Sequence, residues 1–71
     1  MPISSDILKR LRKNAKLTQK QVAEIVGITE QHYQLYEYGQ SNPTVDRLEK
    51  LADFFGVSTD FLLGRLGVPK E

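Results

Sequence analysis

Leu17-Thr-Gln-Lys-Gln-Val-Ala-Glu-Ile-Val-Gly-Ile-Thr-Glu-Gln-His-Tyr-Gln-Leu-Tyr-Glu-Tyr-Gly39 reads as two short helices, each with its own start and stop signal. Thr18 is a good N-cap, and Gln21 three positions on can reach back to its amide, the reciprocal arrangement that satisfies two orphan donors at a helix start. The first of these helices therefore begins near Gln19. Val22, Ala23 and Val26 mark one apolar face, and Gly27 offers the left-handed residue that ends it. Ile28 then plugs the turn and Thr29 caps the next helix, on which Tyr33 and Tyr36 share a face, before Gly39 supplies a second stop. This second helix is predicted from Glu30 to Tyr38.

Two short helices separated by about three residues must cross steeply, and a close crossing needs a small side chain where the backbones approach. Ala23 is that residue. The spacing is that of a helix-turn-helix, which leaves the opposite face of the second helix free to enter a DNA major groove, where base edges carry a distinct donor and acceptor code. Glu30, Gln31, Gln34 and Leu35 are predicted on that outward face.

With 71 residues and 8.1 kDa, the sequence predicts one small domain over residues 1–64 and a short tail over 65–71. Cysteine is absent, which excludes disulfides and thiolate zinc sites and fits a reducing cytoplasm. No apolar run approaches the roughly 20 residues that span a membrane, and Met1-Pro-Ile-Ser has no signal-peptide character, so a soluble, cytoplasmic chain is expected. The net charge of +1 is low for a nucleic-acid binder, but its distribution is uneven. Lys9, Arg10, Arg12, Lys13, Lys16 and Lys20 fall in the first twenty positions with Asp6 as the only acid, whereas 30–38 holds no Lys or Arg. A reader helix of Gln, Glu and Leu depends on neighbouring loops and helix N-termini for phosphate contacts. One subunit then binds modestly, and a homodimer is expected.

The rest reads as scaffold. Ser4 or Ser5 caps a helix carrying Ile7, Leu8, Leu11 and Ala15 at helical spacing. Ser41-Asn42-Pro43 is turn chemistry, Thr44 caps a helix striped by Val45, Leu48, Leu51, Ala52 and Phe55, and Ser58 with Asp60 opens a last short helix that stops at Gly64. No useful β-type alternation appears, so the class is all-α with five helices. Of the C-terminal apolar residues, Phe61 is expected in the core and Leu66 at an interface, with Phe54 and Leu62 open between the two.

Leu17-Thr18-Gln19, Val22-Ala23, Val26-Gly27-Ile28-Thr29, Tyr36-Glu37, Gly39, Asn42-Pro43, Leu48, Leu51-Ala52 and Gly56-Val57-Ser58 together resemble the lambda-repressor-like, Cro/repressor type of helix-turn-helix found in phage and bacterial transcription regulators. The match runs from about Ile7 to Gly64. The resemblance implies a compact five-helix domain, phosphate contacts from Gln19 and from the loop residues Gln40, Ser41 and Asn42, and base contacts from the first turns of the reader helix. It also implies that Glu37 pairs with Arg12 as a structural bridge, which suits a Glu placed near a helix C-terminus, where the dipole disfavours it. Family members often carry Arg, Lys or Ser along the reader helix; here Glu30, Leu35 and Tyr38 stand there instead. Glu30 can accept from a cytosine N4 amine, Gln31 or Gln34 can make a bidentate contact with adenine, and Leu35 can touch a thymine methyl.

Against these readings stand plainer ones. Exposed glutamines often only solubilise a helix; inside this motif contact is favoured for Gln31 and Gln19, Gln34 is even, and Gln21 caps. Tyr33 and Tyr36 match core positions, with rings buried and hydroxyls reaching the rim, while Tyr38 lies beside the backbone contact zone, where its hydroxyl can donate to a phosphate. Lys9, Arg10, Lys13 and Lys16 suit a solvated face; Lys20 and Arg47, each near a helix start, are better phosphate candidates. His32 has no Cys or carboxylate partner at ligand spacing, and no nucleophile-and-base pair or glycine-rich phosphate loop is visible, so no metal, cofactor or enzymatic activity is expected and His32 belongs at the groove rim or in solvent. The reading is a sequence-specific double-stranded DNA-binding transcriptional regulator, a repressor acting as a homodimer on a pseudo-palindromic operator, with no internal ligand sensor. The alternative is a protein-interaction module such as an antitoxin or antirepressor, favoured by the absence of Lys and Arg from the reader helix.

Overall fold

Each helix begins at a hydroxyl that accepts from the backbone three residues on. Ser4 takes the Ile7 N–H at 3.3 Å, Thr18 that of Gln21 at 3.1 Å, Thr29 that of His32 at 3.1 Å, Thr44 that of Arg47 at 3.3 Å and Ser58 that of Phe61 at 3.0 Å. At Thr18 the bond is reciprocal, since its own N–H donates to Gln21 Oε1 at 2.8 Å. The computed structural model describes residues 3–65, with α1 at Ser5–Asn14, α2 at Gln19–Val26, α3 at Glu30–Glu37, α4 at Val45–Phe55 and α5 at Thr59–Leu62. No strand occurs among the described residues, and the class is all-α as the sequence predicts.

Helix ends obey an equally local rule. In each, an N–H donates to the carbonyl five residues back: Leu17 to Arg12 at 3.2 Å, Ile28 to Ala23 at 3.0 Å, Gln40 to Leu35 at 2.9 Å, Val57 to Ala52 at 3.0 Å and Arg65 to Asp60 at 3.0 Å. That bond needs a left-handed residue just before the donor. Gly27 meets the requirement after α2 at φ +83°, without the Cβ penalty. After α1 the position is held by Lys16 at φ +60°, a conformation that costs an L residue roughly 1 kcal/mol. Leu17, Ile28 and Val57, the apolar residues that follow three of these turns, pack onto the core and offset that ordering.

The core comprises Ile3, Leu8, Val22, Ala23, Val26, Tyr33, Tyr36, Leu51, Ala52 and Leu62. Helix α3 packs on α2 and α1, and α4 packs on α5 and α2. Ala23 is buried beneath the turn, and its carbonyl accepts from both Gly27 and Ile28, which fixes how sharply the chain re-enters α3. The amino-terminal segment is tied down at two distant points: Ser4 N–H donates to the Leu62 carbonyl at 2.7 Å, and Ile3 N–H donates to Asn42 Oδ1 at 3.0 Å. Ser4, not Ser5, is thus the cap of α1, and Ile3 becomes a core residue.

Three apolar positions depart from the sequence expectation. Ala15 follows the end of α1 and is exposed, Val45 is the first residue of α4 and is 71% exposed, and Phe61 is only half-buried while its neighbour Leu62 is fully buried. Helical spacing assigns a face but not how far along that face the core extends, and Ala15 and Val45 lie past its edge. Leu66 lies outside the described residues.

Candidate nucleic-acid interface

Helix α3 is only eight residues long, yet its two sides differ completely in what they touch. Tyr33, Tyr36 and Glu37 point inward, with both tyrosines inaccessible to solvent and Glu37 only 6% exposed. Glu30, Gln31, Leu35 and, at the helix end, Tyr38 are exposed. Gln34 and His32 lie half-buried between the two sides.

The inward side is organised by one carboxylate. Arg12, from α1, donates to Glu37 through Nε at 2.6 Å and Nη2 at 3.1 Å, a two-toothed ion pair, and its Nη1 donates to the Leu17 carbonyl at 3.0 Å. The Tyr33 hydroxyl donates to Glu37 Oε2, and Gln19 Nε2, from the first turn of α2, donates to Glu37 Oε1 at 3.1 Å. Burial alone would raise the Glu37 pKa; the hydrogen bonds from Arg12, Tyr33 and Gln19 outweigh it and hold the carboxyl below the usual carboxylate range. The hydrogen bond to Glu37 raises the Arg12 pKa against the opposing effect of burial, and burial together with Glu37 pushes the Tyr33 phenol far above its ordinary value. No buried side-chain nitrogen or oxygen among the described residues lacks a hydrogen-bond partner.

The tyrosine hydroxyls therefore do not reach the rim. Tyr33 spends its hydroxyl on Glu37 one turn along the same helix, and the Tyr36 hydroxyl lies 3.4 Å from His32 Nε2, with the two rings edge-on at 5.3 Å. The spacing of Tyr33 and Glu37, four residues apart, is the one signal in the sequence that points to this bond.

The residues expected to hold a backbone come from α2, from the α3–α4 loop and from α4. Lys20 is exposed beside the start of α2, and Arg47 is half-buried in the first turn of α4. In the α3–α4 loop, the backbone N–H groups of Gln40 and Ser41 both turn back to the Leu35 carbonyl, at 2.9 and 3.3 Å, so of their donors only the side chains remain for an outside partner. Asn42 accepts from Ile3 through Oδ1, which leaves its Nδ2 as a donor. Gln19 is half-buried and Gln34 donates to it, Nε2 to Oε1 at 3.1 Å, a link that nothing in the spacing of the two residues announces. No group of three or more His, Asp or Glu suited to a metal occurs among the described residues, and no helix there is long and apolar enough to cross a membrane.

Comparison with known proteins gives the family and the fold. A family profile described as helix-turn-helix matches residues 8–62. The chain is 45% identical over 56 residues to the SPbeta prophage-derived HTH-type transcriptional regulator YonR of Bacillus subtilis, covering 79% of this chain and 52% of that protein. It is 41% identical over 58 residues to the cryptic phage CTXphi transcriptional repressor RstR of Vibrio cholerae, covering 82% of this chain and 52% of that one. The chain thus spans about half the length of the curated relatives it matches. Among solved structures, a transcriptional regulator from Listeria innocua superposes with a TM-score of 0.85 at 26% identity, covering 100% of this chain and 67% of that one. The P22 c2 repressor, solved in complex with a synthetic operator, superposes with a TM-score of 0.84 at 21% identity, covering 93% of this chain and 100% of that one, which is a likeness of fold.

Proposed function

The chain belongs to the helix-turn-helix family, of the lambda-repressor-like kind, and on that premise we propose that it is a sequence-specific double-stranded DNA-binding regulator of transcription, a repressor that inserts α3 into the major groove. The observation that carries this reading is the division of α3: its inward polar groups are saturated, while Gln31 and Leu35 stand exposed on the opposite side and Glu30 is exposed at the helix start. Their chemistry suits base edges, with Glu30 accepting from a cytosine amine, Gln31 pairing with adenine and Leu35 packing on a thymine methyl; Gln34 is the fourth candidate on this helix. Gln19, Lys20, Tyr38, Gln40, Ser41, Asn42 and Arg47 are the proposed phosphate contacts. Arg12 and Glu37 hold α1 to α3 and are fold residues.

Because α3 has no cationic side chain, one domain brings little phosphate neutralisation, and the working unit is a homodimer on a pseudo-palindrome with half-sites about one helical turn apart. It acts in the cytoplasm by binding, without catalysis or cofactor, and occludes a promoter. Selection of bound duplexes from a random library, followed by titration of the enriched site at two salt concentrations, tests this. An enriched palindrome with a steep salt slope is expected. Salt-sensitive binding without enrichment defeats sequence specificity, and no binding at low salt favours the second reading, a protein-interaction module, for which Glu30 at the head of an otherwise uncharged outer face is the supporting feature.

A further inference from the structure

Building on the DNA-binding reading, we propose that Gln34 is a positioning residue that reads no base: it fixes the Gln19 carboxamide so that the free N–H of Gln19 meets a backbone phosphate.

The reasoning starts at Glu37. An ionised carboxylate can only accept, so Gln19 must turn its NH2 end toward Glu37 Oε1, 3.1 Å away. Its Oε1 then faces the other way, and Gln34 must answer with its own NH2 end, at 3.1 Å. The orientation of two amides, indistinguishable in shape from their flipped forms, is thus set by one buried anion. Flipping Gln19 would bring its carbonyl oxygen against the Glu37 carboxylate and present its NH2 to the donor end of Gln34. Arg12, Glu37, Gln19 and Gln34 form a directed chain running from α1 through α3 to α2 and back to the middle of α3.

Two consequences separate Gln34 from Gln31. A bidentate contact with adenine needs an amide that can turn its donor and acceptor together onto the base edge, and half-buried Gln34 has one of its two N–H groups tied to Gln19, which fixes its amide toward α2. Gln31 is exposed and makes no side-chain hydrogen bond among the described residues, so its whole amide remains free. Gln19 has a second N–H beyond the one given to Glu37, and it sits at the first position of α2, where the helix dipole favours an anion. Held from both sides, that N–H does not have to be ordered when a phosphate arrives.

The test uses the full chain, wild type, Gln34→Met, Gln19→Met and the double variant, on the duplex selected by the wild type. A set of duplexes carrying a single neutral methylphosphonate at successive backbone positions is titrated alongside. Gln34→Met is expected to keep the preferred base at every position while binding all duplexes about 3- to 10-fold more weakly, the size of one modest hydrogen bond. The double variant binds no more weakly than Gln19→Met. Among the methylphosphonate positions that weaken the wild type, one and the same position is expected to lose its effect in both single variants, an outcome that a purely structural role would not produce. Should Gln34→Met fail to fold, Gln34→Lys replaces it: its ammonium can still donate to Gln19 Oε1, and the wild-type methylphosphonate profile is expected to return. A changed base preference in Gln34→Met, effects that multiply in the double variant, or an unaltered phosphate profile in Gln34→Met would each overturn the assignment while leaving DNA binding intact. A wild type that binds no duplex overturns the DNA-binding reading and this proposal with it.

Discussion

The two sides of α3 are made from similar residues and behave as different materials. Inward, Tyr33 and Glu37 are sealed under Arg12 and Gln19, and every buried polar atom there has its partner. Elsewhere on the helix, Glu30 at its start and Gln31 on the opposite side carry a carboxylate and an amide with no side-chain partner among the described residues. A helix that must enter a groove needs both conditions, because a reader is useful only if its amide is free when the base arrives, and only if the helix beneath it does not move. What separates the sides is saturation of hydrogen bonds, not polarity.

The comparison breaks most severely at Glu37. Glu37→Ala leaves the Arg12 guanidinium without its counter-ion and strands the Tyr33 hydroxyl and the Gln19 amide, a loss expected near 3–5 kcal/mol in urea unfolding. Acid reports the same linkage. The Glu37 pKa is lower in the folded chain than in the unfolded one, so its contribution is fully present above the unfolded carboxylate value, near 4.3, and is lost as pH falls toward and through the folded value. A Glu37→Gln variant should have that part of its acid dependence removed. An unaltered acid limb would mean that the pair does not hold α1 to α3.

Tyr33→Phe sharpens the contrast on the inward side by removing one hydroxyl and nothing else. A hydrogen bond to an ionised group is worth about 1.5–3 kcal/mol, so this variant is expected to unfold in less urea, whereas Tyr36→Phe, whose hydroxyl meets His32 only at 3.4 Å, should cost less. Equal losses for the two would show that Glu37 is not the centre of the cluster.

On the outward side the expectation reverses. Gln31→Ala should leave stability within about 0.5 kcal/mol of wild type while removing roughly 1 to 3 kcal/mol of discrimination at one base pair, with the salt slope unchanged. If instead it weakens all duplexes equally, the exposed amide is not a reader; if it lowers the unfolding midpoint, that side is not free.

How much of this the sequence tells in advance follows from the range of each interaction. Caps and stops are settled within five residues, so Thr18 with Gln21, Gly27, Thr29 and Thr44 announce themselves. Ile3 does not, because its burial depends on Asn42 and, through Ser4, on Leu62, both far along the chain. In α5, a single turn, periodicity has no leverage to rank Phe61 against Leu62. The outward placement of Gln31 follows from the helical wheel alone. Gln34 lies close to it on the same wheel, and only its meeting with Gln19 across two helices tells the two glutamines apart.

Arg47 gives the smallest effect and the finest division of labour. It sits in the first turn of α4, half-buried, with its backbone N–H already bonded to Thr44 at 3.3 Å, so the residue is anchored while its guanidinium can extend toward solvent. A cation there neutralises a phosphate without touching a base, and its removal should act on every sequence alike. Arg47→Ala is expected to flatten the dependence of log affinity on log salt by about one unit and to leave the selected site unchanged. Gln31→Ala predicts the opposite pattern, altered preference at constant slope. Measured together, the two variants separate what α3 reads from what its neighbours hold. An unchanged slope in Arg47→Ala would remove Arg47 from the backbone contacts and pass that role to Lys20, the exposed cation beside the start of α2.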